Sequence, residues 1–159
     1  MRDLATIGVY GADLERFLAT LREASVDLVL DVRQRRGVRG AEYAWANARR
    51  LEDSLRGAGI VYQHLPELAP TTSMREAQYE ADAARGEGKR SRTVLAPAYV
   101  ERYTEEVLDR ADLDPIVRFI GRSTAALLCV ERDPVACHRS LIAARLARDY
   151  DFRIVNLRA

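Results

Sequence analysis

The chain has 159 residues, 48% of them apolar and 31% charged, which suits one soluble globular domain with a hydrophobic core of its own. A net charge of +1 excludes an overall basic field of the kind that draws proteins onto nucleic acid, and no apolar run approaches the ~20 residues needed to span a membrane. Two cysteines make no disulfide framework, and the opening MRDLATIGVYG lacks the basic and apolar segments of a signal peptide, so the expectation is a reduced, cytoplasmic protein without membrane contact.

The elements alternate. LATIGVY reads as a strand, and ADLERFLATLREA as a helix with Leu14, Phe17, Leu18 and Leu21 on one face. VDLVLDVR is a strand with a continuously apolar core, as expected when both faces are covered. EYAWANARRLEDSLRGAG reads as one helix ending at Gly57 or Gly59, and IVYQHL as a third strand. PELAPTTS is a loop, and Ser73 is placed to cap a helix over MREAQYEADAAR. GEGKRSR breaks the pattern before PAYVERYTEEVLDRA, a helix with Pro97 in its first turn, and DPIVRFIG, a shorter one. AALLCVE is a fourth strand, PVACHRSLIAARLARDY a helix and FRIVNL a last strand. Strands separated by helices predict a three-layer α/β fold: a mostly parallel sheet of about five strands, helices on both faces, and a helical insertion near residues 66–97. No repeat or linker divides residues 1–159, which read as a single α/β domain. The insertion is either a peripheral cap or a lid.

Ligands of open parallel sheets gather outside the carboxyl ends of the strands, so three strand-to-helix junctions matter most. The last, ERDPVACHR, predicts Asp133 as a helix N-cap and Pro134 at the first helical position, with Cys137 and His138 in the first turn or just beyond. Free amides there would attract an anion and lower the pKa of a nearby thiol. Arg139 adds a phosphate-gripping fork, and His138 a proton shuttle near neutral pH. The plainer alternative is that Cys137 and His138 simply pack. Cys129, inside LLCV, reads as core. Cys129 and Cys137 lack metal-knuckle spacing, and no second Cys/His pair completes a structural zinc site. A catalytic metal site from Asp31, His64, Glu131 and His138 would need four junctions to converge. No Gly-x-Gly-x-x-Gly, Walker or phosphatase loop is present, and no cofactor is expected.

The second junction, DVRQRRGVRG, carries Asp31 and Arg33 on one face of the strand, then Arg35, Arg36 and Arg39 among glycines. All but one of the 25 basic residues are arginine. Codon bias in a GC-rich genome explains that in bulk, whereas arginines clustered in loops such as this one and GKRSR point to local anion recognition. The first junction supplies Gly8, permitting close approach of a ligand or backbone, and Tyr10, able to donate a hydrogen bond or stack on a base. His64, after the third strand, is placed to face His138.

TIGVYG, LDVRQRRGVRG and LLCVERDPVACHRS together resemble the family catalogued as domain of unknown function 488, along the whole chain. The resemblance implies a compact Rossmann-like α/β domain from a bacterial or archaeal cytoplasm, and no particular activity. The matching positions are Gly8, Asp31, Arg33, Cys129, Glu131, Pro134, Cys137, His138 and Arg139. QRRGVRG replaces the proline and serine that many relatives carry after Asp-Val-Arg.

Three functions follow in order of expectation. The first is an enzyme acting on a phosphate-bearing substrate, a nucleotide or nucleic acid. Arg33, Arg39 and Arg139 would hold phosphate, with Tyr10, Gly8 and His64 beside them. Cys137 or His138 would do nucleophilic or acid–base work, and Asp31 or Glu131 would orient the histidine. The second is a non-catalytic binding module for the same ligands. The third is a thiol redox or sulfur-handling protein, weakened because Cys137 lacks a resolving partner unless Cys129 lies near it.

Overall fold

A computed structural model describes residues 1–88 and 90–159. Five strands form one sheet: β1 (Arg2–Gly8), β2 (Leu28–Asp31), β3 (Val61–His64), β4 (Ala125–Cys129) and β5 (Phe152–Asn156). Their order is β3-β2-β4-β1-β5, and every pairing is parallel. The burial of the strands explains their sequences. β2 and β4 are central and buried at every position, so both are continuously apolar up to their last residues. The edge strand β3 alternates exposed and half-buried residues instead.

Among the described residues, six α-helices fill the connections: α1 (Leu14–Glu23), α2 (Ala48–Gly57), α3 (Thr72–Ala84), α4 (Pro97–Tyr103), α5 (Asp114–Ile120) and α6 (Arg139–Tyr150). α1 and α2 lead the chain toward the β3 edge, and α3 to α6 lead it back toward β5; with the right-handed crossovers usual between parallel strands, the two groups fall on opposite faces. Two aromatic contacts agree with that division. Phe17 of α1 meets Trp45, just before α2, at 5.0 Å between ring centres, and Tyr103 of α4 meets His138, just before α6, at 5.4 Å. The three-layer α/β architecture is therefore the one the alternation predicted.

Three local expectations are corrected. The cap of α3 is Thr71, whose hydroxyl accepts from the Met74 amide; Ser73 lies inside the helix. The helix over residues 42–59 is two pieces, a 3-10 segment at Ala41–Ala46 and then α2, separated by Asn47 in an extended conformation. Asn47 spends its side-chain oxygen on the Val38 amide rather than on its own helix. The last helix also starts late. Pro134–Ala136 form one 3-10 turn, Cys137 is extended, and α6 begins at Arg139. Asp133 caps nothing; its carboxylate pairs with Arg158 at 2.7 Å.

The path from β2 leads to β3 at one edge, and the path from β4 leads to β5 at the other. The connections thus diverge between two adjacent strands, and a crevice opens at their carboxyl ends.

Candidate functional site

The junctions after β2 and β4 meet in that crevice. Asp31 lies level with Leu128, and the Val32 amide extends the ladder to the Leu128 carbonyl at 3.0 Å. The next turn of backbone brings His138 back across the sheet, where its Nε2 lies 2.8 Å from the Val32 carbonyl oxygen. A carbonyl only accepts, so Nε2 carries the proton, and Nδ1 faces inward. Nδ1 is 3.7 Å from the Cys129 sulfur and 3.8 Å from the Cys137 sulfur. Those three atoms all lie within 4.8 Å of one another. Glu131 completes the corner, with Oε2 at 3.7 Å from the Cys129 sulfur and Oε1 accepting from Arg92 at 3.0 Å.

Gly8 makes this corner possible. A Cβ there would stand 2.0 Å from the Glu131 carbonyl oxygen. The close approach is therefore to a neighbouring backbone. One residue on, the Val9 and Tyr10 amides both donate to the Val130 carbonyl, at 3.1 and 2.9 Å, and clamp the end of β4 against β1.

Arg139, Asp31 and Arg33, all expected site residues, serve this frame. Arg139 is fully buried, and its guanidinium donates to the carbonyls of Glu131 at 2.6 Å and Arg132 at 3.1 Å, while its Nε has no partner. Asp31 and Arg33 are also buried and form a two-point ion pair, at 2.9 and 2.8 Å. Arg33 donates onward to the Ala46 carbonyl, and the Tyr62 hydroxyl donates to Asp31. Asp31 thus orients Arg33, and it is Glu131 that accompanies His138. His64 Nε2 lies 2.9 Å from the Arg33 carbonyl oxygen, so the two histidines hold successive carbonyls of one loop.

Electrostatics in the corner follow from burial and neighbours. Burial alone would raise the Cys137 pKa, but the hydrogen bond from Cys129 and the positive charges of His138 and Arg139 hold it well below the ordinary thiol value. Burial and the neighbouring Cys137 push Cys129 well above it. Burial disfavours charge on His138, yet the Cys137 charge raises its pKa overall. Burial, and then the Cys137 charge, bring Glu131 up to about 7 against the pull of Arg92. The directions together favour negative charge on Cys137 and positive charge on His138, and disfavour charge on Cys129 and Glu131.

A cavity of about 40 Å³ touches all four groups. Its roof comes from the insertion: Pro70, Arg75, Gln78, Tyr79, Arg92 and Leu95. Arg92 pins that roof, donating to Asp82 at 2.8 Å as well as to Glu131. Outside lies a wider groove of about 650 Å³, lined by Tyr10, Arg35, Arg39, Arg75, Tyr79 and Arg90 among others. Arg35, Arg75 and Tyr79 border both spaces. Arg90 is occupied, packed on the Tyr10 and Tyr43 rings at 5.3 and 5.1 Å and paired with Glu42. Arg35, Arg39 and Arg75 have no carboxylate partner among the described residues. Arg75 donates to the Tyr79 hydroxyl and to the Gln34 side-chain oxygen, both at 2.8 Å, with its guanidinium 5.6 Å from the Tyr79 ring centre.

Sequence reasoning did not single out Arg75 or Tyr79, named Arg35 and Arg92 only as members of basic loops, and read Cys129 as no more than core. Cys129 is core, as its strand required, but its sulfur looks into the site. Arg75 and Tyr79 lie on one helical face, four residues apart, and that spacing was the available signal for a guanidinium paired with a tyrosine hydroxyl.

A family model described as Domain of unknown function DUF488 matches residues 13–146. No curated protein and no solved structure matches the chain.

Proposed function

Since the chain belongs to the DUF488 family, whose description assigns no activity, we propose from the site itself that it is an enzyme acting on a phosphate-bearing substrate, a nucleotide or a nucleic-acid strand. One observation carries the reading: a groove lined by three arginines that have no carboxylate partner among the described residues shares its Arg35, Arg75 and Tyr79 wall with a cavity lined by Cys129, Glu131, Cys137 and His138. Arg35, Arg39 and Arg75 are the phosphate-holding residues, since Arg33 and Arg139 are occupied inside the protein. Tyr79, half-buried in the groove wall, offers its ring to a base. Glu131 and His138 are the groups for proton transfer, and the sulfurs stand at the reacting end.

The test is binding and turnover on a panel of nucleoside phosphates and short single strands. Wild-type protein should bind at least one class saturably, and Arg35→Ala with Arg39→Ala should weaken that binding by about tenfold or more, each lost charge-assisted contact being worth about 1.5–3 kcal/mol in full and less at an exposed site. Turnover should vanish in Glu131→Gln while binding persists. Equal binding by the double variant would sink the groove assignment. Binding without turnover in the wild type would favour a non-catalytic module.

A second reading has its own support. The sulfurs of Cys129 and Cys137 are close enough for thiol–disulfide chemistry, the condition that a redox role required. Loss of both titratable thiols under mild oxidant, regained with a dithiol reductant, would favour it.

A further inference from the structure

We propose that Cys129, Cys137 and His138 bind one thiophilic divalent cation, with zinc the best fit, leaving a coordination position open to the cavity. The argument is geometric. A tetrahedral zinc ion with ordinary bond lengths sets a sulfur and a nitrogen ligand about 3.6 Å apart. Here the two sulfur–Nδ1 separations are 3.7 and 3.8 Å, and the third edge, between the sulfurs, falls within 4.8 Å. Three soft donors thus stand almost at the corners that a single ion needs.

The histidine is oriented as a ligand. Its Nε2–H donates to the Val32 carbonyl at 2.8 Å, which leaves the Nδ1 lone pair aimed at the sulfurs. Metal-bound histidines are held in this way by a carbonyl or carboxylate on the far nitrogen. The ring is further fixed by Tyr103, whose own hydroxyl is tied to the Leu68 carbonyl at 2.6 Å. The Cys137 backbone is held by two contacts, its amide on the Pro134 carbonyl and its carbonyl under the Ser140 hydroxyl. The positions are therefore set before any ion arrives.

The coordination shell is open on one side. Glu131 touches Cys129 but stands outside the group of three, and Arg92 holds its other oxygen. Two sulfurs, one imidazole nitrogen and an open position make up a catalytic donor set, and a closed structural site would have a fourth protein ligand. The softness of the donors selects zinc or cobalt over magnesium or calcium. On the reading given under Proposed function, the open position admits water beside Glu131. Water then adds across the scissile bond, its oxygen to the electrophilic atom and its proton, by way of Glu131, to the leaving group. The reaction class is hydrolysis.

The experiment uses the full chain, reduced and stripped with a chelator under anaerobic conditions, and titrated with cobalt(II) chloride. The expected result is one equivalent bound, with a sulfur-to-cobalt charge-transfer band and the intense visible bands of a tetrahedral site. Zinc chloride should displace it, and the loaded protein should resist alkylation at both thiols. Cys129→Ser, Cys137→Ser and His138→Gln should each weaken binding by more than the roughly 10–100-fold typical of outer-shell changes. Should any of these variants fail to fold, the wild-type stoichiometry, spectrum and thiol protection still decide. A folded, reduced wild-type protein that takes up no stoichiometric cobalt, or a charge-transfer band of unchanged intensity and unchanged affinity in Cys129→Ser or in Cys137→Ser, overturns the proposal. Glu131→Gln should keep the full equivalent of cobalt; its loss there would make Glu131 a ligand and the site closed, which also overturns it. Nucleotide binding by the metal-stripped protein is scored separately through Arg35 and Arg39, so failure of the groove and failure of the ion are told apart.

Discussion

Asp31 and Arg33 show what holds the corner from beneath. Both are buried, and the guanidinium has no other anion among the described residues. Removing one charge leaves the other stranded, so Asp31→Asn should cost about 3–5 kcal/mol in a urea titration at neutral pH. A loss under about 1 kcal/mol would mean that the pair is hydrated and not a frame for the loop. Gly8→Ala probes the same frame without charge. Its Cβ would meet a backbone carbonyl at 2.0 Å, and backbone cannot swing aside as a side-chain tip does. The β1–β4 junction would have to open, at a cost of about 1–3 kcal/mol. An unchanged midpoint would show that the two strand ends are not clamped. Gly8, Asp31 and Arg33 were all legible as important positions, because a glycine at a strand end and an acid–arginine pair on one strand face are local patterns.

Among the elements, the insertion depends most on a single residue. α3 and the loop that follows it reach the sheet through Arg92, which bridges Asp82 at 2.8 Å and Glu131 at 3.0 Å and also donates to the Ala136 carbonyl. Around it Gln78 links Asp82 to the Ala96 amide, so the start of α4 is tied in as well. Arg92→Met should release this roof. Backbone amides of residues 74–84 should exchange faster with deuterated solvent, while those of β1 and β4 keep their protection. Equal protection in wild type and variant would show that apolar contacts of Met74 and Leu95 suffice without the bridge. A helix over residues 74–85 of the insertion was legible, whereas its anchor was not. The Arg92 partners lie 10 and 39 residues away in the chain, beyond any local pattern. The same limit hid the start of α6. Pro134 is a fair first helical residue, but the chain takes one 3-10 turn and then extends at Cys137, which turns that sulfur toward Cys129. A helix running straight through would have presented neither that sulfur nor the imidazole in this way.

At the scale of the whole molecule, the alternation of apolar strands and amphipathic helices was enough to foresee a parallel three-layer architecture, and strand order was the missing piece. The order β3-β2-β4-β1-β5 makes β2 and β4 neighbours and brings Val32 to His138, residues 106 apart in the chain. The groove above them has to work without help from the rest of the surface. A chain with net charge +1 generates no strong long-range attraction for a polyanion. Whatever phosphate affinity exists must come from the few arginines that reach the ligand, and salt dependence counts them. For single strands the slope of log affinity against log salt is about −0.7 per phosphate neutralised. Three contacts, from Arg35, Arg39 and Arg75, then give about −2, and each alanine substitution among the three should make the slope shallower by about 0.7. Anisotropy of a labelled oligonucleotide across a range of salt concentrations measures both quantities. A slope steeper than about −4 would require a far broader basic surface than this groove, and a slope indifferent to all three substitutions would place the phosphates elsewhere on the protein.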